Sequence, residues 1–331
     1  MAGSFDVITI GSATQDVFIR SRGWDEQKDP SAPDGFNACI PMGSKLPIDE
    51  LTIATGGGAT NAAVTFARFG LTTACFSVVG DDETGRTVIN QLRDEGIDTG
   101  GIMIKSGEKT AYSVILVAGT GERGILTHRG AAGHLDAKSF PWTNTSWIYI
   151  TSLAGDLQNN REVFAQAIEL GARVAWNPGA KELELGMEKL APLLRQTDIL
   201  LLNREEAAEL AQLPPRHLSE IISNIEYRVS KRDLILVVTD GANGAYVHAN
   251  GETLYAPSLQ GERKNTTGAG DAFGSAFVSA IAQNKNVKTA LAWGMLNSFG
   301  VVTHMGAKAG ILKKIPTDKD VKSIHISHAD F

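Results

Sequence analysis

Short apolar runs recur along the chain, each closed by Gly, Ser, Asn or Asp, and the segments between them carry apolar residues at helical spacing. FDVITIGS (5–12), TACFSVVG (73–80), TSWIYITS (145–152), ARVAWNPG (172–179), DILLLN (198–203) and DLILVVTDG (233–241) read as buried strands. Segments 60–70, 83–96, 160–171, 181–196 and 287–306 read as helices. Strands alternating with helices predict βαβ units, hence an α/β fold with a mainly parallel central sheet covered on both faces. Such sheets gather ligands at the carboxyl ends of their strands.

Segments 17–54 and 101–130 break this rhythm. The first is polar and rich in Pro and Gly with short apolar pieces, and the second reads as short strands separated by turns. Together they predict a small β-sheet standing off the main layer as a discontinuous lid, which leaves 1–16, 55–100 and 131–331 as the α/β core.

Composition narrows the classes of partner. The chain has 331 residues, a net charge of -6 and a pI near 5.7, with no run of clustered Lys and Arg, which argues against a nucleic-acid partner and for a small molecule. The 2 cysteines, Cys39 and Cys75, have no CxxC spacing, so neither a disulfide framework nor a zinc knuckle is expected. No apolar stretch is long enough for a membrane span and the N-terminus has no basic leader, so a cytoplasmic location without membrane contact is expected.

Several motifs carry chemistry. TGGGATNAAVTFARFG (55–70) is either a tight turn into a core helix or a turn that lets a ligand approach the backbone, and it lacks the GxGxxG spacing of a dinucleotide site. In NREEAAEL (203–210), Asn203 ends a strand and Glu206 lies on the next helical turn, where an acid suits the helix dipole or a hydrated Mg²⁺. VVTDGANGAYV (237–247) fits a hairpin, and its glycines would equally suit a nucleotide-binding edge. In NTTGAGDAFGSAF (265–277), Asp271 enters an apolar helix, where it can cap the helix or act on a substrate. The helix dipole and amide hydrogen bonds predict a depressed pKa for that carboxylate. No P-loop, HExxH or GxSxG motif occurs.

Taken in order, GGGATN, NREE, TDGANG, NTTGAGD and the tail NSFGVVTHMGA resemble the signatures of the ribokinase-like, or PfkB, family of carbohydrate kinases over nearly the whole chain. The resemblance implies a three-layer α/β/α sandwich with a β lid, and an ATP- and Mg²⁺-dependent kinase acting on a hydroxyl, with a hydroxymethyl expected, of a sugar or sugar derivative. A nucleoside kinase of the same family is the alternative. It implies that Asp271 is the catalytic base and that Gly268, Ala269 and Gly270 supply amides to the transferring group. Asn203 and Glu206 would organise Mg²⁺ through water. Asn203, Thr239, Gly241, Gly244 and Asn297 would line the nucleotide, with Asn297 near the adenine. Asp16, on the loop after the first strand, would bind acceptor hydroxyls with Gly57 and Asn61. Tyr112, Arg129 and GFNACIPMGSK (35–45) are further pocket candidates, although Arg129 suits a surface position equally well.

Departures from the family pattern matter. Asn265 stands where many members have Asp, and Gly310 offers no side-chain oxygen, so activation by a monovalent cation such as K⁺ is expected to be weak or absent. Gly58 replaces the Lys of ribokinases proper, and the long lid segment leaves room for a bulkier acceptor. Apolar lid strands such as 113–118 suggest a homodimer formed through the lid, or simply a cover for the substrate.

Overall fold

The computed structural model describes residues 4–21, 23–29, 36–117 and 123–329. The chain enters through β1 (Phe5–Ile10) and leaves the main layer as β2 (Thr14–Arg20). A hairpin of β3 (Asp25–Lys28) and β4 (Phe36–Cys39) follows, and β5 (Glu50–Gly56) returns to helix α1 (Gly58–Arg68). Next come β6 (Thr73–Gly80), α2 (Glu83–Asp94), β7 (Ile102–Lys105), β8 (Ala111–Val117) and β9 (Arg123–His128). The alternating half contains β10 (Thr145–Ile150), α3 (Leu157–Leu170), β11 (Arg173–Trp176), α4 (Ala180–Leu183), α5 (Met187–Leu194) and β12 (Ile199–Asn203). It continues through α6 (Arg204–Ala211), α7 (Leu218–Val229), β13 (Ile235–Thr239), β14 (Ala245–Ala249) and β15 (Glu252–Ala256). Helices α8 (Ala269–Ala282), α9 (Val287–Val302) and α10 (Asp318–Lys322), then β16 (Ser327–His328), complete the chain.

The main sheet has 10 strands in the order β16-β15-β14-β13-β12-β11-β10-β1-β6-β7. It is parallel from β13 to β7 and antiparallel from β13 outward to β16. Its buried strands place neighbouring residues in opposite cores, as the period of two requires. Ile8, Ile148, Leu200 and Leu236 face the helices α3, α5, α6 and α7, whereas Val7, Trp147, Ile199 and Val237 face α1, α8 and α9. The result is an α/β/α sandwich. Among the described residues no helix is long and apolar enough to cross a membrane.

The second sheet has 4 strands in the order β5-β2-β8-β9, with β2 parallel to β8 and its other pairs antiparallel. One face presents Asp16, Phe18, Ala54, Ser113 and Ile115, and the other presents Ile19, Leu51, Ile53, Val114 and Leu116, as the register dictates. Phe18, Ile115 and Val117 form a small core against Ala54 and Met305.

Four sequence expectations change. Asp16 lies within β2 and not on a loop, because the second sheet begins at Thr14. Residues 102–105 pair in parallel with β6, so the first strand of 101–130 belongs to the main sheet. The helix expected over 181–196 is split into α4 and α5, because Gly186 adopts φ 80 and interrupts the helical hydrogen bonds. Within GFNACIPMGSK, Gly35 lies outside the described residues, and Ile40 and Met42 are exposed instead of lining a pocket. Of the remaining lid residues, 22, 30–34 and 118–122 also lie outside them.

Candidate active site

The site forms where the carboxyl ends of the parallel strands meet the start of α8. Gly268 opens that helix at φ 80, and a Cβ there would stand 2.5 Å from Ala307 Cβ, so the turn needs glycine for both conformation and space. The amides of Gly270 and Asp271 donate to no protein acceptor among the described residues, and a Cβ on Gly270 would meet nothing within 4 Å. Unpaired amides at the open end of a 14-residue helix form a ready anion cradle. Ala269 is already bonded, through its amide, to the Thr266 carbonyl.

Asp271 stands in the first turn of α8, and its Oδ2 accepts a 2.8 Å hydrogen bond from Asn61 Nδ2 on α1. The Asn61 Oδ1 is buried without a partner, so it is free to accept from a hydroxyl. The expectation of a depressed Asp271 pKa is overturned. Burial raises it, outweighing the Asn61 hydrogen bond and the charge of Lys308, and the nearby Asp16 carboxylate adds to the rise. The result is a carboxylate more basic than a surface aspartate.

Asp16 is 5% exposed and accepts from Thr14 Oγ1 at 2.9 Å, with Ser113 opposite it on the neighbouring strand. Burial raises its pKa above the ordinary range. A Cβ on Gly56 would lie 1.9 Å from Asp16 Oδ2, which shows why the returning strand ends in glycine there. Gly57 then caps α1 at φ 96, its backbone pressed against the Ser12 carbonyl. Asp16, Asn61 and Asp271 thus converge from β2, α1 and α8.

On the other side, Asn203 ends β12 and caps α6. Its Oδ1 accepts from the Glu206 amide and Glu206 Oε2 accepts from the Asn203 amide, each at 2.8 Å. Burial raises the Glu206 pKa, and Glu205, Glu209 and Asp271 reinforce the rise. A carboxylate held among acidic neighbours fits a hydrated cation. A cavity of about 260 Å³ contains Asn177, Asn203, Glu206, Thr239, Gly268 and Asp271 in its wall. It adjoins a second, of about 370 Å³, walled by Gly241, Gly244, Leu259, Met295 and Phe299. The latter has an apolar lining that suits a heteroaromatic base.

Three expected site residues stand elsewhere. Asn297 is fully buried: its Nδ2 donates to Ala272 O and Thr65 Oγ1, and its Oδ1 accepts from Leu312 N. It pins α9 to α8 and the tail, and Met295 and Phe299 reach the cavity instead. Tyr112 pairs with Gln15 and His128 on the sheet face opposite Asp16, because side chains alternate and Ser113 occupies the inward position. Arg129 is exposed at the end of β9. Conversely, Lys308 was not anticipated: it donates from Nζ to Thr55 Oγ1 at 2.8 Å, and its charge acts on both Asp16 and Asp271. The available signal was a lone lysine among small residues in GAKAG.

The profile of the pfkB family carbohydrate kinases matches residues 38–314. A ribokinase of Haemophilus influenzae is 30% identical over 273 residues, covering 81% of this chain and 88% of that protein. Fructokinase-1 of Oryza sativa subsp. japonica is 26% identical, with coverage of 81% and 87%. Among solved structures, the nucleoside kinase of Methanocaldococcus jannaschii superposes with a TM-score of 0.75 at 22% identity, covering 97% of this chain and 98% of that one. Arabidopsis thaliana ribokinase complexed with ribose and ATP gives 0.77 at 19%, with coverage of 97% and 98%. The chain belongs to the PfkB family of carbohydrate kinases. By that membership it is a carbohydrate kinase, a phosphotransferase with a hydroxyl group as acceptor.

Proposed function

Proceeding from that membership, we propose that the protein transfers the γ-phosphoryl group of ATP to a hydroxymethyl group of a sugar or sugar derivative, with Asp271 as base. The observation that carries this reading is the start of α8, where a half-buried carboxylate and free amides stand together at the junction of the two halves of the cleft. Asp271 takes the proton of the acceptor hydroxyl as the new O–P bond forms and the bond to the departing ADP breaks. The amides of Gly270 and Asp271 stabilise charge on the transferring group, where most of the acceleration of phosphoryl transfer arises. Asp16 and the free Asn61 Oδ1 accept from acceptor hydroxyls and fix the reacting one beside Asp271.

Thr239, Gly241 and Gly244 line the donor side, and Met295 and Phe299 enclose the base. Asn203 and Glu206 would hold waters of a magnesium ion, which supplies neutralisation of phosphate charge when bound. A monovalent cation fits less well. The Asn265 Oδ1 is taken by the Thr267 amide at 3.0 Å, and the buried atom left without a partner is its Nδ2, a donor that cannot ligate a cation.

A nucleoside acceptor is the second reading, favoured by nucleoside kinases among the structural neighbours, including one from Burkholderia thailandensis in complex with inosine. ADP release measured with ribose, fructose, sugar acids and nucleosides separates the two, and release with none of them would sink both. The lid face bearing Leu51, Ile53 and Leu126, exposed by 55%, 61% and 63%, supports lid-to-lid pairing of two copies, which sedimentation tests. Free thiols at Cys39 and Cys75 support a cytoplasmic location.

A further inference from the structure

Asp16 and Asp271 set a problem of charge. The two stand near enough for their charges to act on each other, burial favours the protonated form of each, and the Asp16 charge works against ionisation of Asp271. Yet the acceptor site needs both as carboxylates. Among the described residues neither forms an ion pair within 4.0 Å, so no direct partner answers for them.

The tail after α9 runs through this gap. Gly306 packs on Ala54, with the position of a Cβ only 3.3 Å from the Ala54 Cβ, and Ala307 packs on Gly268. The next residue, Lys308, extends to Thr55, one residue before the glycine that lies under the Asp16 carboxylate. The Thr55 hydroxyl in turn donates to Gln91 Oε1 of α2 at 2.6 Å, leaving its lone pairs to the ammonium. The titratable groups that face Lys308 are Asp16, Cys75, Asp271 and Glu95. Glu95 is already engaged by the Arg68 guanidinium through its Nε at 2.9 Å, and the buried Cys75 thiol is pushed up to about 11 and carries no charge at neutral pH. The charge of Lys308 is therefore left for Asp16 and Asp271. Asp271 is also faced by Asn61, Tyr149 and Glu206, none of them a cation.

We infer that Lys308 is a positioning residue of the acceptor site: its ammonium, seated on Thr55, is the countercharge that keeps Asp16 and Asp271 ionised together. Burial pulls the lysine itself down to about 8, which still leaves it mostly protonated at neutral pH. The inference rests on the acceptor reading given above. A half-buried ammonium without an ion pair costs stability, so Lys308→Met is expected to fold, since it replaces the charge by apolar surface of similar length.

The full-length protein, labelled with ¹³C at aspartate carboxyls, is titrated by NMR, with the two resonances assigned by Asp16→Asn and Asp271→Asn. Lys308→Met is expected to raise both titrations by about one pH unit, the low end of what a neighbouring opposite charge supplies. Lys308→Arg should stay close to the parent, and Thr55→Val should move both in the same direction by less. In turnover, the acid limb of kcat/KM should move up in parallel, with activity recovering at higher pH. Unmoved carboxyl titrations in Lys308→Met, or a loss of activity equal at every pH, would overturn the assignment. Because the NMR titration needs no substrate, it decides this point even if the parent phosphorylates none of the acceptors, which would instead defeat the functional reading.

Discussion

The two halves of the cleft are built from different materials. The half proposed to hold the donor is made largely of backbone: glycine turns at 241 and 244 and the unpaired amides at the start of α8, beside an apolar cavity around Met295 and Phe299. The half proposed to hold the acceptor is made of side-chain charge, the buried Asp16 and the half-buried Asp271 and Lys308, with Asn61 between. Backbone donors need no countercharge and keep their direction whatever the pH. Buried charges give directional grip on a polyol, but they must be balanced inside the protein, and that balance couples the site to pH and to the tail.

If the contrast is right, damage to the two halves should separate in kinetics. The largest effect is expected where the halves join. Gly268→Ala meets both a left-handed φ of 80 and the Ala307 backbone at 2.9 Å, so the helix start must shift. A displacement on the order of 1 Å lowers kcat about 10²-fold, and parent-like kcat would show that the junction tolerates movement. Asp16→Asn should lower kcat/KM for the acceptor by roughly 10-fold to 10²-fold, as expected for a hydrogen bond to a charged group. Nucleotide affinity, followed by calorimetry, should be unchanged; a matched loss on the nucleotide side would erase the contrast.

Smaller effects sharpen it further. Asn297→Ala removes partners of Ala272 and Leu312 in the core and should destabilise by about 1–3 kcal/mol in denaturant unfolding. Its KM for ATP should stay near the parent value, and a selective rise in that KM would return Asn297 to the nucleotide site. Smallest of all, replacing Na⁺ by K⁺ should change the rate less than about twofold, since the free atom of Asn265 is a donor. Strong K⁺ activation would mean that carbonyl groups alone make a cation site.

The same division governs how much was legible in the sequence. Gly268, Gly270, Asn203 and Glu206 take places set by local backbone geometry, helix starts and strand ends, which a motif of a few residues specifies by itself. Strand and helix order followed from periodicity for the same reason. Asn297 misled because its place in the order of motifs says nothing about which way its helix turns it, and the packing of α9 on α8 turns it inward. Tyr112 sits next to the residue that faces Asp16, and only the pairing of β2 with β8 shows that it faces the other way. The basicity of Asp271 depends on burial by α1 and on charges far away in sequence, so the local helix-dipole argument gave the wrong sign. Lys308 comes to the site through the tertiary course of the tail, which no local pattern reveals.

The central claim is that Asp271 is the base at the junction, and Asp271→Asn tests it most directly because it keeps shape and removes charge. Acceptor-dependent ADP release should fall by roughly 10²-fold to 10⁴-fold while ATP binding persists. The parent should lose activity as pH falls through the raised pKa of Asp271, above the ordinary carboxylate range, because the base must be ionised to act. The same raised pKa means that folding favours the protonated form, so the ionised carboxylate costs stability at neutral pH and Asp271→Asn should melt above the parent. An Asp271→Asn enzyme within a factor of two of the parent rate would contradict the account.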